Sequence, residues 1–574
     1  MRKGSKMLGL CMAILLILAL AGGCTSEGKN NAGGNKTNTG AGKGESGGNQ
    51  EASVSEGAAN VNLDSPLPVV KSPIKLSLVT LKASNSGPAE GMWFFQFMKE
   101  KANLNFDVKQ IDNTAWSEQK NIMFASNQLP DIFTASFSID EIMRYGQIEG
   151  QLLPLNDLIE KYAPNIKKLL DEKPEVRAAI TAPDGNIYSL PSIGVSDLTV
   201  WNSFAMNRFF VNQKWLKQVG LPEPQSLDDF YAMLKAFKDK DPDGNGKPDS
   251  IPFTGTWTQG VGDAYVVLNA LGINARNAME LTVKDDKVIL AGADPLYKEY
   301  LSYMHKLNSE GLLDSEIFTQ NETAKFAKAA NNQVGALSGA APFVFAPDYA
   351  ADWVPLTPLT SKWNSKKMWT DGNHVTPGRI VITSQAKNPE AAIRFADLYF
   401  TELYNFIFWN GPMKDSEEAL SYEGWYLDDK GEVTYNFPDG ITNIWDYVNA
   451  LNPISGAPLG PSPVYDSINS LFGLKAPGLP ESELSWRNPI LEKVGPYLVA
   501  PFPAVYLTPE ALARRNELAT PILDYVKEME ARFIYGHESL DKFDDYLRKL
   551  KDLGIEEYLQ IYQSAYDAYV ANMK

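Results

Sequence analysis

Asp241, Asp243, Asn245 and Asp249 crowd four oxygen-bearing side chains into the nine residues DPDGNGKPD of a chain that otherwise spreads its charges widely. Carboxylates this close repel one another unless water screens them or a cation lies between them. The spacing favours the cation. Oxygens at positions 1, 3 and 5, Gly246 at position 6 for a sharp turn, the Lys247 carbonyl at 7 and a carboxylate at 9 follow the first nine positions of an EF-hand calcium loop. Position 12 is Pro252 and not the bidentate glutamate of a calcium sensor, so water or a distant residue must complete the shell. The expected ion is a structural Ca2+ rather than a switch; the alternative is a solvated Asp/Gly/Asn turn.

Other chemistry finds little footing. His305, His374 and His537 are the only histidines and fall in no HExxH arrangement. The GxSxG at Gly44 to Gly48 and the GxGxxG at Gly42 to Gly47 lie in a glycine-rich stretch with no strand before or helix after to give them meaning. A phosphate-cradling GxxxxGK[ST] is missing. Paired carboxylates for glycoside cleavage recur many times among 70 acids and decide nothing.

The N-terminus points to export. Arg2, Lys3 and Lys6 precede an apolar run from Met7 to Leu20, too short to span a bilayer comfortably but with the order of a secretory signal over 1–23. The run ends in LAGGC, which resembles the lipobox of bacterial lipoproteins, with Cys24 as the residue that is diacylated. The only other cysteine, Cys11, lies inside the signal, so the mature chain has no disulfide framework. Residues 24–65 are rich in Gly, Asn and Ser and cannot build a core. As a flexible tether they would reach roughly 35 Å, holding a body beside the membrane. The net charge is -17, and the signal carries three of the cations and no acid. That excess of acid argues against nucleic acid, whose binding needs phosphates neutralised by Lys and Arg.

In the body, IKLSLVT (Ile74 to Thr80) and LNFDVKQI (Leu104 to Ile111) read as strands around a helical MWFFQFMKEKA, a beta-alpha-beta beginning. SLDDFYAMLKAFKD has Ser226 as N-cap, Asp229 three residues on, and Leu227, Phe230, Leu234 and Phe237 at helical spacing. NPEAAIRFADLYF has Asn388 as cap and Pro389 at the first helical position. From Leu512 to Met573 the pattern is nearly continuous helix, with turns near Gly536 and Gly554.

LPDIF (Leu129 to Phe133), LLPLNDLIEKYAPN, DGNIYSLP, the stretch Val211 to Thr254 that contains the acidic loop, KNPEAAIRFADLYF and the stretch Arg532 to Tyr569 resemble, in that order, family 1 extracellular solute-binding proteins of ABC importers. The resemblance is greatest to the large lipoprotein branch that takes up oligosaccharides and includes alginate-binding proteins. It implies an α/β, two-lobed periplasmic-binding-protein-like fold of type II, with ligand held in a cleft at a multi-crossing hinge. The acidic loop matches the family's calcium loop, where an acidic residue often follows the last aspartate; here that residue is Ser250. With crossings near YSLPSIG and DGNHVTPGR, lobe one is expected over 70–190 plus 375–475 and lobe two over 191–374 plus 476–574. The implied role is a lipid-anchored, monomeric binding protein on the extracellular face of the cell membrane, delivering a carbohydrate to an ABC permease. A sugar sensor for a receptor kinase is one alternative, and a calcium-dependent secreted polysaccharide-active enzyme another.

A cleft for sugars needs aromatic faces beside polar groups. Trp257, in FTGTWTQG, sits where related sugar binders present a stacking ring, and Phe137 occupies the corresponding loop of lobe one. Trp201, Trp369 and Phe343 are further candidates, with Asn202 and Asp197 as hydrogen-bonding neighbours. Trp409 is equally a buried ring at a helix end. Arg208, Lys366, Lys367 and Arg379 lie near the crossings, and any that lined the cleft would suit an acidic sugar.

Overall fold

The computed structural model describes residues 56–573 apart from 84, 195–207, 248, 258–262, 428, 430–432, 438–440, 442–443, 459 and 461–487. The apolar run at Ile74 forms β1 (Ile74–Lys82). Its two faces enter different cores, Leu76 and Leu78 one, Val79 and Leu81 the other. A strand buried on both faces belongs in the middle of a sheet covered by helices. Accordingly β1 pairs in parallel with β2 (Leu104–Asp112) and β3 (Ile132–Thr134). β11 (Val375–Ile382) runs antiparallel beside β3, and β4 (Leu190–Ile193) closes the edge, giving the order β2-β1-β3-β11-β4. The two-residue period of strands holds across the sheet: Ile132, Ile380 and Ile382 face the first core, Phe133 and Val381 the second. Helices Trp93–Lys101, Pro389–Leu398 and Glu402–Asn410 cover one face, and helix Trp116–Ser126 the other.

Between β4 and β11 the chain builds a second lobe. β5 (Phe209–Asn212) lies between β8 (Ala336–Ser338) and β9 (Trp353–Pro355), antiparallel to both. Parallel bridges Ile251↔Val334 and Phe253↔Leu313 widen the layer. The hairpin of β6 (Leu281–Lys284) and β7 (Lys287–Leu290) stands apart from it, as β12 (Trp425–Leu427) and β13 (Val433–Tyr435) do in the first lobe. β10 (Trp369–Thr370) pairs with β14 (Leu498–Val499), returning the late chain to the second lobe. Helix Leu227–Asp239 starts at a capping box: Ser226 Oγ accepts from Asp229 N at 3.2 Å, while Ser226 N donates to Asp229 Oδ2 at 3.1 Å. It buries Leu227, Phe230, Leu234 and Phe237, as their spacing requires.

Two expected boundaries are corrected. The tether was expected to reach residue 65, but helix Glu56–Asn60 precedes a buried Val61 and Asn62, and Arg394 Nε donates to the Asn62 carbonyl at 3.1 Å. The chain after 476 is not all second lobe, because Tyr506, Leu507 and Leu512 pack into the core that holds Phe133 and Val381. Helix Pro509–Tyr535 then runs into the second-lobe core through Ile522, Val526 and Phe533. Helices Phe543–Asp552 and Ile555–Asn572 follow, separated from it and from each other by the left-handed Gly536 (φ 76°) and Gly554 (φ 91°).

Candidate functional site

The C-terminal ends of β1 and β4 and the start of β11 share one edge of the first-lobe sheet, the edge where open α/β sheets hold ligands. A cavity of about 380 Å3 opens there. Ala83 continues β1, Ser192 stands on β4 and Arg379 on β11. Helix Glu402–Asn410 supplies Trp409, and helix Ile444–Leu451 supplies Asn449. The turn that follows adds Ile454, Ser455 and Ala457. A larger cavity of about 530 Å3 lies between helices Pro174–Ile180 and Ile555–Asn572, away from these strand ends.

Two glycines shape the site. Thr376 pairs with Ser192 and Ile380 with Leu190, so β11 carries extra residues between the same two rungs, a bulge that re-aims Arg379. Gly378 sits in that bulge at φ 81°, and a Cβ on it would lie 2.1 Å from the Phe137 carbonyl oxygen, so only glycine fits. Gly378 N donates to Ser189 Oγ at 3.1 Å, and Ala135 N donates to the Arg379 carbonyl at 3.0 Å. The second glycine, Gly456, lets the lining turn lie directly on the strand ends, where a Cβ would be 1.9 Å from the Thr134 carbonyl oxygen.

Arg379 Nη1 donates to Ser136 Oγ at 2.8 Å, and burial lowers the guanidinium pKa. Trp409 is half-buried, and its Nε1 donates to the Pro458 carbonyl at 3.0 Å, which fixes one edge of the ring. An anchored ring beside a cation, hydroxyls and an amide can pack on the C–H face of a sugar while bonding its oxygens. At the neighbouring crossing, His374 Nε2 lies 2.8 Å from Asp371 Oδ2, and Gly194 N donates to the His374 carbonyl at 2.7 Å. The Asp371 hydrogen bond raises the His374 pKa.

The rings named from sequence fare differently. Phe137 is only 5% exposed, edge-on to Trp116 at 5.5 Å with Phe124 and Phe133 around it, so it is a core ring and not a stacking platform. Trp369 is likewise corrected: it is 1% exposed and meets Tyr265 edge-on at 5.3 Å. Trp257 is half-buried beyond the Phe253 bridge, against Phe318 at 4.8 Å. Phe343 lies after β8 in the turn Pro342–Phe345, 42% exposed. Trp201, Asn202, Asp197 and Cys24 lie outside the described residues. Lys366 and Lys367 stand away from the cavity, Lys367 Nζ donating to Gln225 Oε1 at 2.8 Å, and Arg208 Nη1 donates to the Ala340 carbonyl at 2.5 Å.

The acidic loop is drawn together by its own side chains. Asp241 Oδ2 accepts from Gly246 N at 2.9 Å, and Asn245 Oδ1 from Lys247 N at 2.7 Å. The Asn245 amide bridges Asp243 Oδ2 at 2.6 Å and Asp249 Oδ1 at 3.0 Å. Among the described residues no group of three His, Cys, Asp or Glu side chains is already gathered as a metal cage. The neighbouring Asp243 lowers the Asp241 pKa, and burial raises that of Asp243. Asp241 Oδ1 and Ser250 Oγ are buried without hydrogen-bond partners. Hard oxygen donors with unsatisfied lone pairs suit Ca2+.

Residues 84–403, more than half of the chain, match the family model described as bacterial extracellular solute-binding protein. The chain belongs to this family. The family is one of binding proteins, not enzymes. This solute-binding protein is 29% identical over 521 residues to the fructooligosaccharide ABC transporter substrate-binding protein FusA of Streptococcus pneumoniae, covering 88% of this chain and 91% of FusA. Solved structures of FusA with kestose, and of an EF-hand mutant of FusA with fructo-nystose, share its fold at a TM-score of 0.70 and 27% identity, each covering 87% of this chain and 100% of that one. The alginate-binding protein AlgQ2, solved without calcium ion, matches with a TM-score of 0.63 and 26% identity over 87% of this chain and 99% of its own.

Proposed function

We propose that this protein is the substrate-binding component of an ABC importer that captures an oligosaccharide between its lobes and delivers it to the membrane permease. The observation that carries the reading is the strand-end cavity, where Trp409 offers an anchored ring beside Arg379, Ser192, Asn449 and Ser455. The near-full-length likeness to FusA, a fructooligosaccharide-binding protein, supports it. Trp257 and Phe343, on strand-end loops of the second lobe, are the ring candidates for the opposite wall, with Trp201 and Asn202 from the first crossing. Cys24 is the lipid attachment point, which places a monomeric body at the extracellular face of the cell membrane.

The loop 241–249 holds a structural Ca2+ through Asp241, Asp243, Asn245, the Lys247 carbonyl and Asp249, with Ser250 Oγ beside them; the EF-hand named in FusA supports this assignment. The ion would tie the end of helix Leu227–Asp239 to the bridge residue Ile251, steadying the lobe without touching the sugar. A thermal-shift screen with neutral and uronic oligosaccharides tests the function. Binding to the folded state raises the melting temperature by mass action. No shift with any oligosaccharide, or cleavage of the panel, would refute the reading.

A further inference from the structure

Among the described residues the cation in the cavity meets no carboxylate. Arg379 is half-buried, and its one side-chain hydrogen bond among the described residues goes to a hydroxyl, Ser136 Oγ at 2.8 Å. No carboxylate among those residues acts on it, and burial alone lowers its pKa. Its companions Ser192, Trp409, Asn449 and Ser455 are all neutral. Elsewhere the protein pairs its buried cations: Lys120 with Glu141 at 2.6 Å, Lys325 with Asp263 at 3.3 Å, Arg394 with Asp397 at 2.8 Å. Desolvating a guanidinium without a counter-charge is costly, so the missing partner is a strong acceptor. A guanidinium only donates, and its planar fork matches a carboxylate in bidentate geometry. The hydroxyls of a neutral ring can be met by Ser192, Ser455 and Asn449, which both donate and accept, and this leaves the guanidinium fork for a charged group.

We infer that Arg379 is the specificity-determining residue of the cavity and selects an oligosaccharide bearing a carboxylate, a uronic acid unit whose ring lies against Trp409. This rests on the oligosaccharide-binding reading. The charge of the ligand is a property of these side chains and not of the fold shared with FusA.

Isothermal titration with trigalacturonate and trimannuronate, against the neutral kestose and maltotriose, tests it. At least one uronide should bind about tenfold tighter than either neutral sugar, with an affinity that falls as salt is raised. Arg379→Met should lower uronide affinity on the order of a hundredfold and neutral-sugar affinity by far less. Arg379→Lys, which keeps the charge and loses the fork, should retain part of the preference. Should the methionine variant melt early without ligand, the lysine variant carries the comparison. A neutral sugar binding as tightly as the best uronide, or a variant that weakens both classes alike, overturns the inference and leaves the oligosaccharide reading standing. Binding of none of the four overturns both.

Discussion

Gly456→Ala turns the packing of the cavity into a measurable loss. A Cβ at 456 would stand 1.9 Å from the Thr134 oxygen and 3.2 Å from Leu81 N, whereas real Cβ atoms essentially never come within 3.0 Å of another heavy atom. Both obstacles are backbone of β3 and β1, held by the parallel ladder, so the turn must retreat by about 1 Å. It takes Ser455 with it, and it drags on Asn449 at the end of the preceding helix. If each loses one sugar hydrogen bond of about 1 kcal/mol, affinity falls by about 2 kcal/mol, roughly thirtyfold in Kd. Calorimetric titration with the best sugar of the screen reads this directly, and urea unfolding reads the cost to the fold. Gly424→Ala is a matched control: its Cβ would meet the Pro412 oxygen at 1.9 Å, in a turn that does not line the cavity. It should destabilise the protein and spare affinity. Wild-type affinity in Gly456→Ala, or equal affinity losses in the two variants, would show that the cavity is not where sugar binds.

Trp409→Ala should weaken sugar binding by about 1 to 3 kcal/mol with a modest effect on the unliganded melting temperature. Phe137→Ala should cost about 3 to 5 kcal/mol in urea unfolding, as an emptied core ring, and the reverse pattern would exchange their roles. Chelation, or Asp243→Ala, should lower the melting temperature by an amount that grows with the calcium present in the reference sample, while leaving sugar affinity nearly unchanged. Identical melting in chelator and in millimolar calcium would reduce the loop to a solvated turn. Glu530, enclosed with Tyr300 at 3.0 Å and Tyr297, has its carboxyl pushed up by burial from 4.5 to about 7. Its folded pKa is raised, so its contribution is fully present below pH 4.5 and is lost as pH rises through about 7, on the order of 3 kcal/mol. Glu530→Gln should therefore flatten the decline in stability between pH 5 and 8, and an unchanged slope in urea melts would mean that Glu530 is ionised in the folded protein.

What could be read from the sequence follows the range of the forces involved. The capping box at Ser226, the strand at Ile74 and the glycine stops at Gly536 and Gly554 are local patterns, and they stand where the spacing put them. The turn at the acidic loop is equally local, since the hydrogen bonds that draw it together all fall within nine residues. The cavity was not, since Ala83, Arg379 and the 454–457 turn meet only through the sheet and its covering helices. Phe137 shows the same limit. Its place on a strand-end loop suggested a cleft ring, but Trp116, Phe124 and Phe133 fill the space beneath that loop and draw it inward. Trp409 offered nothing in the sequence beyond its type; the Pro458 carbonyl, in a different segment, decides which way its ring is held.

The segment from β14 to the end of helix Pro509–Tyr535 pairs with the second lobe at Leu498, enters a first-lobe core at Tyr506, Leu507 and Leu512, and re-enters the second-lobe core at Ile522. Arg515 on the same helix pairs with Asp140 of the first lobe. Neither lobe completes its interior without this late segment, so neither can be excised by cutting at β4 and β11 and remain folded. Heating should therefore melt the body in one cooperative step rather than two, and a nascent chain cannot finish its first lobe until almost the whole sequence has been made.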